Sequence, residues 1–318
     1  MSGHRIRSAD VDLSVARIEE AAGVIDPVFL NTPQYVDSQL SAALGRDVLV
    51  KVETANPIRS FKGRGTDFLA GQLDPEVHIV CVSTGNFGQG VAYAGRTRGL
   101  PVTVFTPLGV NPAKLDRMRA LGATVIEAAE AKSAARAYVA ERPERLWVED
   151  GADPRIAEGA GTIGLELLRS HRPNTIVVPV GDGALITGIG CWVREFAPAT
   201  RIVGVCATGA PSFLHSFQAG HAIPTDRADT FAEGIQVKDP IPASVTRVLA
   251  LVDEIVLVTD DEMLAAMRLA ATTLGLILEP SGAAGLAAIA RHNPPGDLVA
   301  TILTGSNIHA DLLPTLTA

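Results

Sequence analysis

A lysine set between an aromatic residue and two glycines, Ser60-Phe61-Lys62-Gly63-Arg64-Gly65, is the stretch of this chain best suited to covalent chemistry. It follows Asn56-Pro57-Ile58, which reads as a turn, and precedes a helix predicted over 66–73. A lysine that forms a Schiff base needs access for a flat ring, a bulky wall against water, and low local charge so that its ammonium releases a proton. Alone, a lysine followed by glycine reads as a solvated turn. Three further segments give it company. The apolar runs ending at Val82, Val180 and Leu303 lead into Ser83-Thr84-Gly85-Asn86, Gly181-Asp182-Gly183-Ala184 and Thr304-Gly305-Ser306-Asn307. Polar, glycine-containing turns at the carboxyl ends of buried strands are where open α/β sheets bind ligands. Three such turns and the lysine point to one site built from distant parts of the chain.

The turns differ in what they offer. Gly181-Asp182-Gly183-Ala184-Leu185-Ile186 resembles a dinucleotide fingerprint, but Ile186 stands at the third glycine position, and the strand over 202–206 ends in Ala207-Thr208 with no acid for a ribose. A single phosphate held by backbone N–H groups at a helix start fits better. Asp182 is awkward beside an anion, so its side chain is expected to point away or to cap the helix. Ser83 to Gly90 supplies hydroxyls, an amide and backbone N–H groups, which suit a carboxylate; Ser83 or Asn86 can equally cap the following helix.

The elements that must position these turns alternate. Strands are predicted over 48–52, 79–82, 102–105, 124–127, 146–148, 175–180, 202–206, 254–258 and 299–303. Helices are predicted over 15–22, 66–73, 88–97, 112–121, 133–140, 154–168, 185–196, 261–274 and 283–291. Asn111-Pro112 reads as an N-cap with proline at the first helical position, and Gly122 as the stop. The alternation predicts an α/β protein with mostly parallel, twisted sheets covered by helices on both faces. Residues 77–149 form a run of βα repeats. They are expected to be a small domain set into a large one, 1–76 with 150–318, with the site in the cleft between them.

Composition narrows the function. The 318 residues are 47% hydrophobic and 19% charged, with a net charge of −8, and basic residues are scattered. That argues against nucleic acid. No apolar run spans a membrane, and the polar start Met1-Ser2-Gly3-His4 has no signal-peptide core. Cys81, Cys191 and Cys206 lie in apolar segments without metal-binding spacing, which suggests reduced thiols in the cytoplasm.

Taken in order, Asn-Pro-x-x-Ser-Phe-Lys-x-Arg-Gly, Ser-x-Gly-Asn-x-x-Gln-Gly, Pro-Val-Gly-x-Gly, Glu-Pro-Ser-Gly-Ala and x-Gly-x-Asn resemble the threonine dehydratase and serine racemase family of fold-type II pyridoxal-phosphate enzymes. The match runs from Thr32 to Asn307. The resemblance implies that Lys62 carries the Schiff base and is the base at Cα, with Phe61 at the cofactor's edge. It assigns Asn86 to the 3-oxygen of the ring, Gly181, Asp182, Gly183, Ala184 and Leu185 to the phosphate, and Thr304 to the pyridine nitrogen, with Glu279 near the ring. Ser83, Thr84, Gly85, Asn86 and Phe87 would hold the substrate carboxylate. The implied reaction is dehydration of a β-hydroxy amino acid such as threonine or serine to a 2-oxo acid and ammonia, by a homodimer. Racemisation or β-replacement is the alternative, Thr84 supplying the acid opposite Lys62; a non-catalytic cofactor-binding protein is a third. Departures fall at Phe87, Thr84, Asp182, Ala184, Thr304 and Ser306, and at 148–153, where the family usually carries His-Pro-Phe-Asp-Asp. The chain stops soon after Asn307, so the regulatory domain of biosynthetic threonine dehydratases is expected to be absent.

Overall fold

The computed structural model describes residues 11–110 and 112–316; the cap expected at Asn111 and the N-terminal segment read for a leader lie outside them. The strands are β1 (Gln34–Val36), β2 (Asp47–Val52), β3 (His78–Val82), β4 (Val102–Thr106), β5 (Thr124–Glu127), β6 (Arg145–Trp147), β7 (Thr175–Pro179), β8 (Arg201–Ala207), β9 (Glu254–Val258) and β10 (Leu298–Leu303). The helices are α1 (Val15–Val24), α2 (Ser38–Leu44), α3 (Lys62–Ala70), α4 (Asn86–Arg98), α5 (Pro112–Ala120), α6 (Ala131–Ala140), α7 (Pro154–Ser170), α8 (Ala184–Phe196), α9 (Ser212–Ala219), α10 (Pro242–Leu251), α11 (Asp260–Leu274) and α12 (Pro280–His292).

Two sheets result. One has six strands in the order β1-β2-β10-β7-β8-β9, the other four in the order β5-β4-β3-β6. All neighbours run parallel except β1 and β2. Strands β4 and β7 are buried throughout, as expected where helices cover both faces. The chain leaves the first sheet after β2, builds the second, and returns through α7. Register then sets the C-terminal β10 beside the N-terminal β2, Leu303 opposite Val52.

The caps follow local chemistry. Thr259 and Glu262 form a reciprocal capping box on α11. The Asp153 carboxylate accepts from the Arg155 N–H at 2.9 Å, with Pro154 at the first position of α7. Gly122, φ 98°, closes α5. Four elements were not anticipated: β1, α2, α9 and α10, short stretches bounded by proline or glycine. Helix α3 also begins earlier than predicted. Lys62 is its first residue rather than part of the preceding turn. The glycines at 63 and 65, which lower intrinsic helix propensity, are overridden by packing. A Cβ on Gly65 would stand 2.3 Å from the Ile156 carbonyl of α7, so only glycine permits this crossing.

Behind α3 lies a buried ion cluster. Arg64 has no solvent exposure and grips two carboxylates bidentately, Glu53 at 2.8 and 2.9 Å and Glu166 at 2.7 and 2.9 Å. It also donates to Thr162 and Thr32 at 2.9 and 3.2 Å. Lys51 joins Glu166 and donates to the Thr32 carbonyl at 2.8 Å. Two cations meet two carboxylates. Burial by itself would raise the Glu166 carboxyl, but Arg64 and Lys51 overcome it and hold it down to about 2. Removing one partner strands a buried charge. We expect Arg64→Met to lower unfolding stability by about 3–5 kcal/mol in urea titrations; a loss below about 1 kcal/mol would show that the cluster tolerates the unpaired carboxylate.

Candidate active site

A cavity of about 330 Å³ lies at the carboxyl ends of β3, β6, β7 and β10. Lys62 enters it from the start of α3. The preceding strip is pinned to the end of β10: Ser60 bridges Gly305, the Phe61 N–H donates to the Thr304 carbonyl at 3.0 Å, and the Ser306 N–H donates to Arg59 at 3.0 Å. Lys62 Nζ lies 4.7 Å from the centroid of the Phe61 ring, the bulky wall that its chemistry requires.

The expectation of low local charge around Lys62 is not met. Its ammonium is ion-paired with Asp150. The turn carrying Asp150 packs on Asp182, which is half-buried and lines the cavity. Burial, then the charge of Asp150, push the Asp182 carboxyl up to about 7, with Lys62 opposing. Asp182 does not cap α8 either: Gly183 is the N-cap, at φ 88°, and no side chain caps it. Asp150 lies in the stretch that departs from the family pattern, the one signal that could have marked it; an unusual residue there has no readable role until the fold brings it to Lys62.

The loop from Gly181 to Leu185 joins β7 to α8 and lines the cavity. The first N–H groups of a helix have no intrahelical acceptor and favour an anion. Gly183 holds the turn in a left-handed conformation, and a Cβ there would stand 2.1 Å from Ser244 Oγ. Ser83 Oγ accepts from the Gly88 and Gly85 N–H groups at 2.9 and 3.2 Å, so it satisfies a first-turn N–H of α4, whose N-cap is Gly85 rather than Ser83 or Asn86. Thr84, Gly85, Asn86 and Phe87 line the cavity with it. A Cβ on Gly85 would meet nothing within 4 Å, which leaves its backbone open to a ligand.

Asn86 is held from two sides. Its Nδ2 donates to Glu279 at 2.6 Å and its Oδ1 accepts from Asn307 at 2.6 Å. An amide nitrogen carries two hydrogens, so one remains for a ligand. Burial raises the Glu279 carboxyl against the hydrogen bonds from Asn86 and Ser281. Thr304 lines the cavity and donates weakly to the Ser281 carbonyl at 3.4 Å; Ser306, its competitor in sequence, is not on the wall. The structure thus brings every anticipated site residue to one cavity. The sequence reading missed Asp150, Lys114, Lys132, Trp147, Glu149 and Glu233 there.

These residues fit a flat phosphorylated ring: an anion cradle at a helix start, with a lysine, an amide and a neutral hydroxyl on the wall of the same cavity. The model of the family described as pyridoxal-phosphate dependent enzyme matches residues 25–305. The chain belongs to this family. Among pyridoxal-phosphate dependent relatives, L-threonine ammonia-lyase of Thermotoga maritima is 31% identical over 95% of this chain and 77% of its own length. The processed form of threonine deaminase isoform 2 from Solanum lycopersicum superposes with a TM-score of 0.87 at 29% identity, over 96% of this chain and 93% of that one. Maize serine racemase superposes with a TM-score of 0.89 at 26% identity, over 96% and 97%. No helix among the described residues is long and apolar enough to cross a membrane.

Asp182 gives a pH signature. An acid whose folded value is raised binds more protons folded than unfolded, so its cost grows as pH rises from the unfolded value of 3.8 to about 7 and is constant above. Asp182→Asn removes that cost. We expect it to raise the melting temperature of the cofactor-free protein at pH 8, an advantage that shrinks as pH falls toward 4. A pH-independent difference in thermal unfolding would place the Asp182 carboxyl in water.

Proposed function

We propose that this protein is a pyridoxal-phosphate-dependent ammonia-lyase that dehydrates a β-hydroxy amino acid to a 2-oxo acid and ammonia. The observation that carries the reading is the convergence of Lys62, Asn86, Thr304 and the Gly181–Leu185 loop on one cavity, in a chain whose relatives include a threonine ammonia-lyase.

Lys62 would hold the cofactor's aldehyde carbon through a Schiff base. The backbone N–H groups at the start of α8 would hold its phosphate, the free Asn86 hydrogen its ring oxygen, and the Thr304 hydroxyl its ring nitrogen. When bound, the cofactor supplies the electron sink that acidifies the substrate's α-proton. Lys62 then takes that proton at Nζ. Ser83 to Phe87 orient the substrate carboxylate, and Phe61 shields the lysine from water. Thr304 offers a neutral hydroxyl in place of a carboxylate, which suits elimination over a long-lived carbanion.

Residues 77–149, with a sheet of their own, serve in this reading as a lobe that closes on the large body formed by 1–76 and 150–318. Lys114, which pairs with Glu233, and Arg117, which donates to Asn307, span the two. A cytoplasmic homodimer remains the expected assembly; the three buried free cysteines agree with a reducing compartment. Racemisation on the same cofactor is the second reading, supported by Thr84 on the cavity wall and by the likeness to maize serine racemase.

We expect the purified protein to absorb visible light and to release 2-oxo acid from a panel of β-hydroxy amino acids, and Lys62→Ala to lose both. Thr84→Val should retain 2-oxo acid release within about ten-fold, since a neutral hydroxyl contributes about 1 kcal/mol. D-enantiomer formation exceeding 2-oxo acid, and lost in Thr84→Val, would favour racemisation instead.

A further inference from the structure

Two carboxylates stand on the wall of the cavity beside one ammonium. Asp150 is only 7% exposed. One of its oxygens pairs with Lys62, while Oδ1 is buried, has no hydrogen-bond partner and belongs to a side chain that lines the cavity. Asp182 adjoins it. Gly151, at φ 77°, lets the turn after Asp150 lie against Asp182 so closely that a Cβ would stand 2.2 Å from the Asp182 carbonyl oxygen and 2.9 Å from its Cβ. An acid at 150 followed by glycine departs from the pattern that the rest of the chain resembles.

The neighbouring charges are already committed. Lys132 pairs with Glu149 at 2.7 Å, and Lys114 with Glu233. Lys62 remains, and here the argument rests on the reading of Lys62 as the cofactor's anchor. Whether bonded to the cofactor or released as the neutral amine that takes the α-proton, Lys62 no longer offers Asp150 an ammonium, and the cofactor adds a phosphate, another anion. Buried carboxylates without a cation are costly. The β-hydroxyl of a substrate can satisfy one oxygen, but it neutralises no charge. The methyl group of threonine does neither.

We propose that Asp150 and Asp182 form a cation subsite, and that the preferred substrates are 2-amino acids whose side chain carries a second, protonated amine. Charge-assisted hydrogen bonds to a buried carboxylate are roughly twice as strong as neutral ones, which makes the subsite selective as well as tolerant. Serine and threonine can enter the same cavity, with weaker binding.

Binding can be read apart from turnover with probes that lack a β leaving group. L-2,4-diaminobutyrate and L-homoserine are near-isosteric and differ in ending with an ammonium or a hydroxyl. Titrated into the holoenzyme and followed by the shift of its visible band, diaminobutyrate should bind about ten-fold or more tightly than homoserine. Asp150→Asn should bring the two within about two-fold, and Asp182→Asn should reduce the ratio as well. Equal affinities in the wild-type protein, or tighter binding of homoserine, would overturn the proposal even if the variants fail to fold. So would a wild-type ratio retained in Asp150→Asn. The lyase reading falls separately, if no β-hydroxy or β-amino acid yields a 2-oxo acid while the binding ratio is still measurable.

Discussion

The position of Lys62 depends on a salt cluster two residues away. Arg64 spends its guanidinium on Glu53 and Glu166 and on two threonine hydroxyls, with Lys51 balancing the second carboxylate. Such a cluster is costly to desolvate and is repaid only when every donor and acceptor is matched. That requirement fixes α3 against β2 and α7 in one orientation. A helix starting at Lys62 then has one direction in which to send its first side chain, toward the cavity. Hydrophobic packing alone would tolerate small rotations of α3; the two bidentate grips do not.

The same rigidity extends to the other walls through backbone contacts rather than long side chains. The strip before Lys62 is tied to the end of β10, and the Glu279 N–H donates to the Gly305 carbonyl at 3.1 Å, so three of the converging segments share one short stretch of backbone. Asn86, from the four-stranded sheet, reaches this stretch through Glu279 and Asn307.

Much of this was legible in the chain. The parallel sheets announce themselves because their strands are short buried β-branched runs, and the turns that end them hold glycine and polar residues for the same reason that they bind ligands. Phe61 and Lys62, Asn86, the Gly181 loop and Thr304 could be named because their neighbours fix their type. What escaped was set by the tertiary structure. Helix α3 starts at Lys62 despite two glycines because its packing against Phe29 and α7 leaves no space for side chains at 63 and 65. Strand β1 is three residues long and acquires its identity only by pairing with β2. Asp150 looks like any loop aspartate until the chain, far along from Lys62, brings it to the ammonium. The acidity of the cavity is therefore a property of the fold and not of a motif.

The proposed chemistry requires Lys62 to be the residue that bonds the cofactor. Reduction of the purified holoenzyme with borohydride, followed by digestion and mass mapping, tests this directly. One modified peptide is expected, carrying the reduced cofactor on Lys62. Modification of Lys114 or Lys132, the other lysines on the cavity wall, or of Lys51 in the buried cluster, would contradict it.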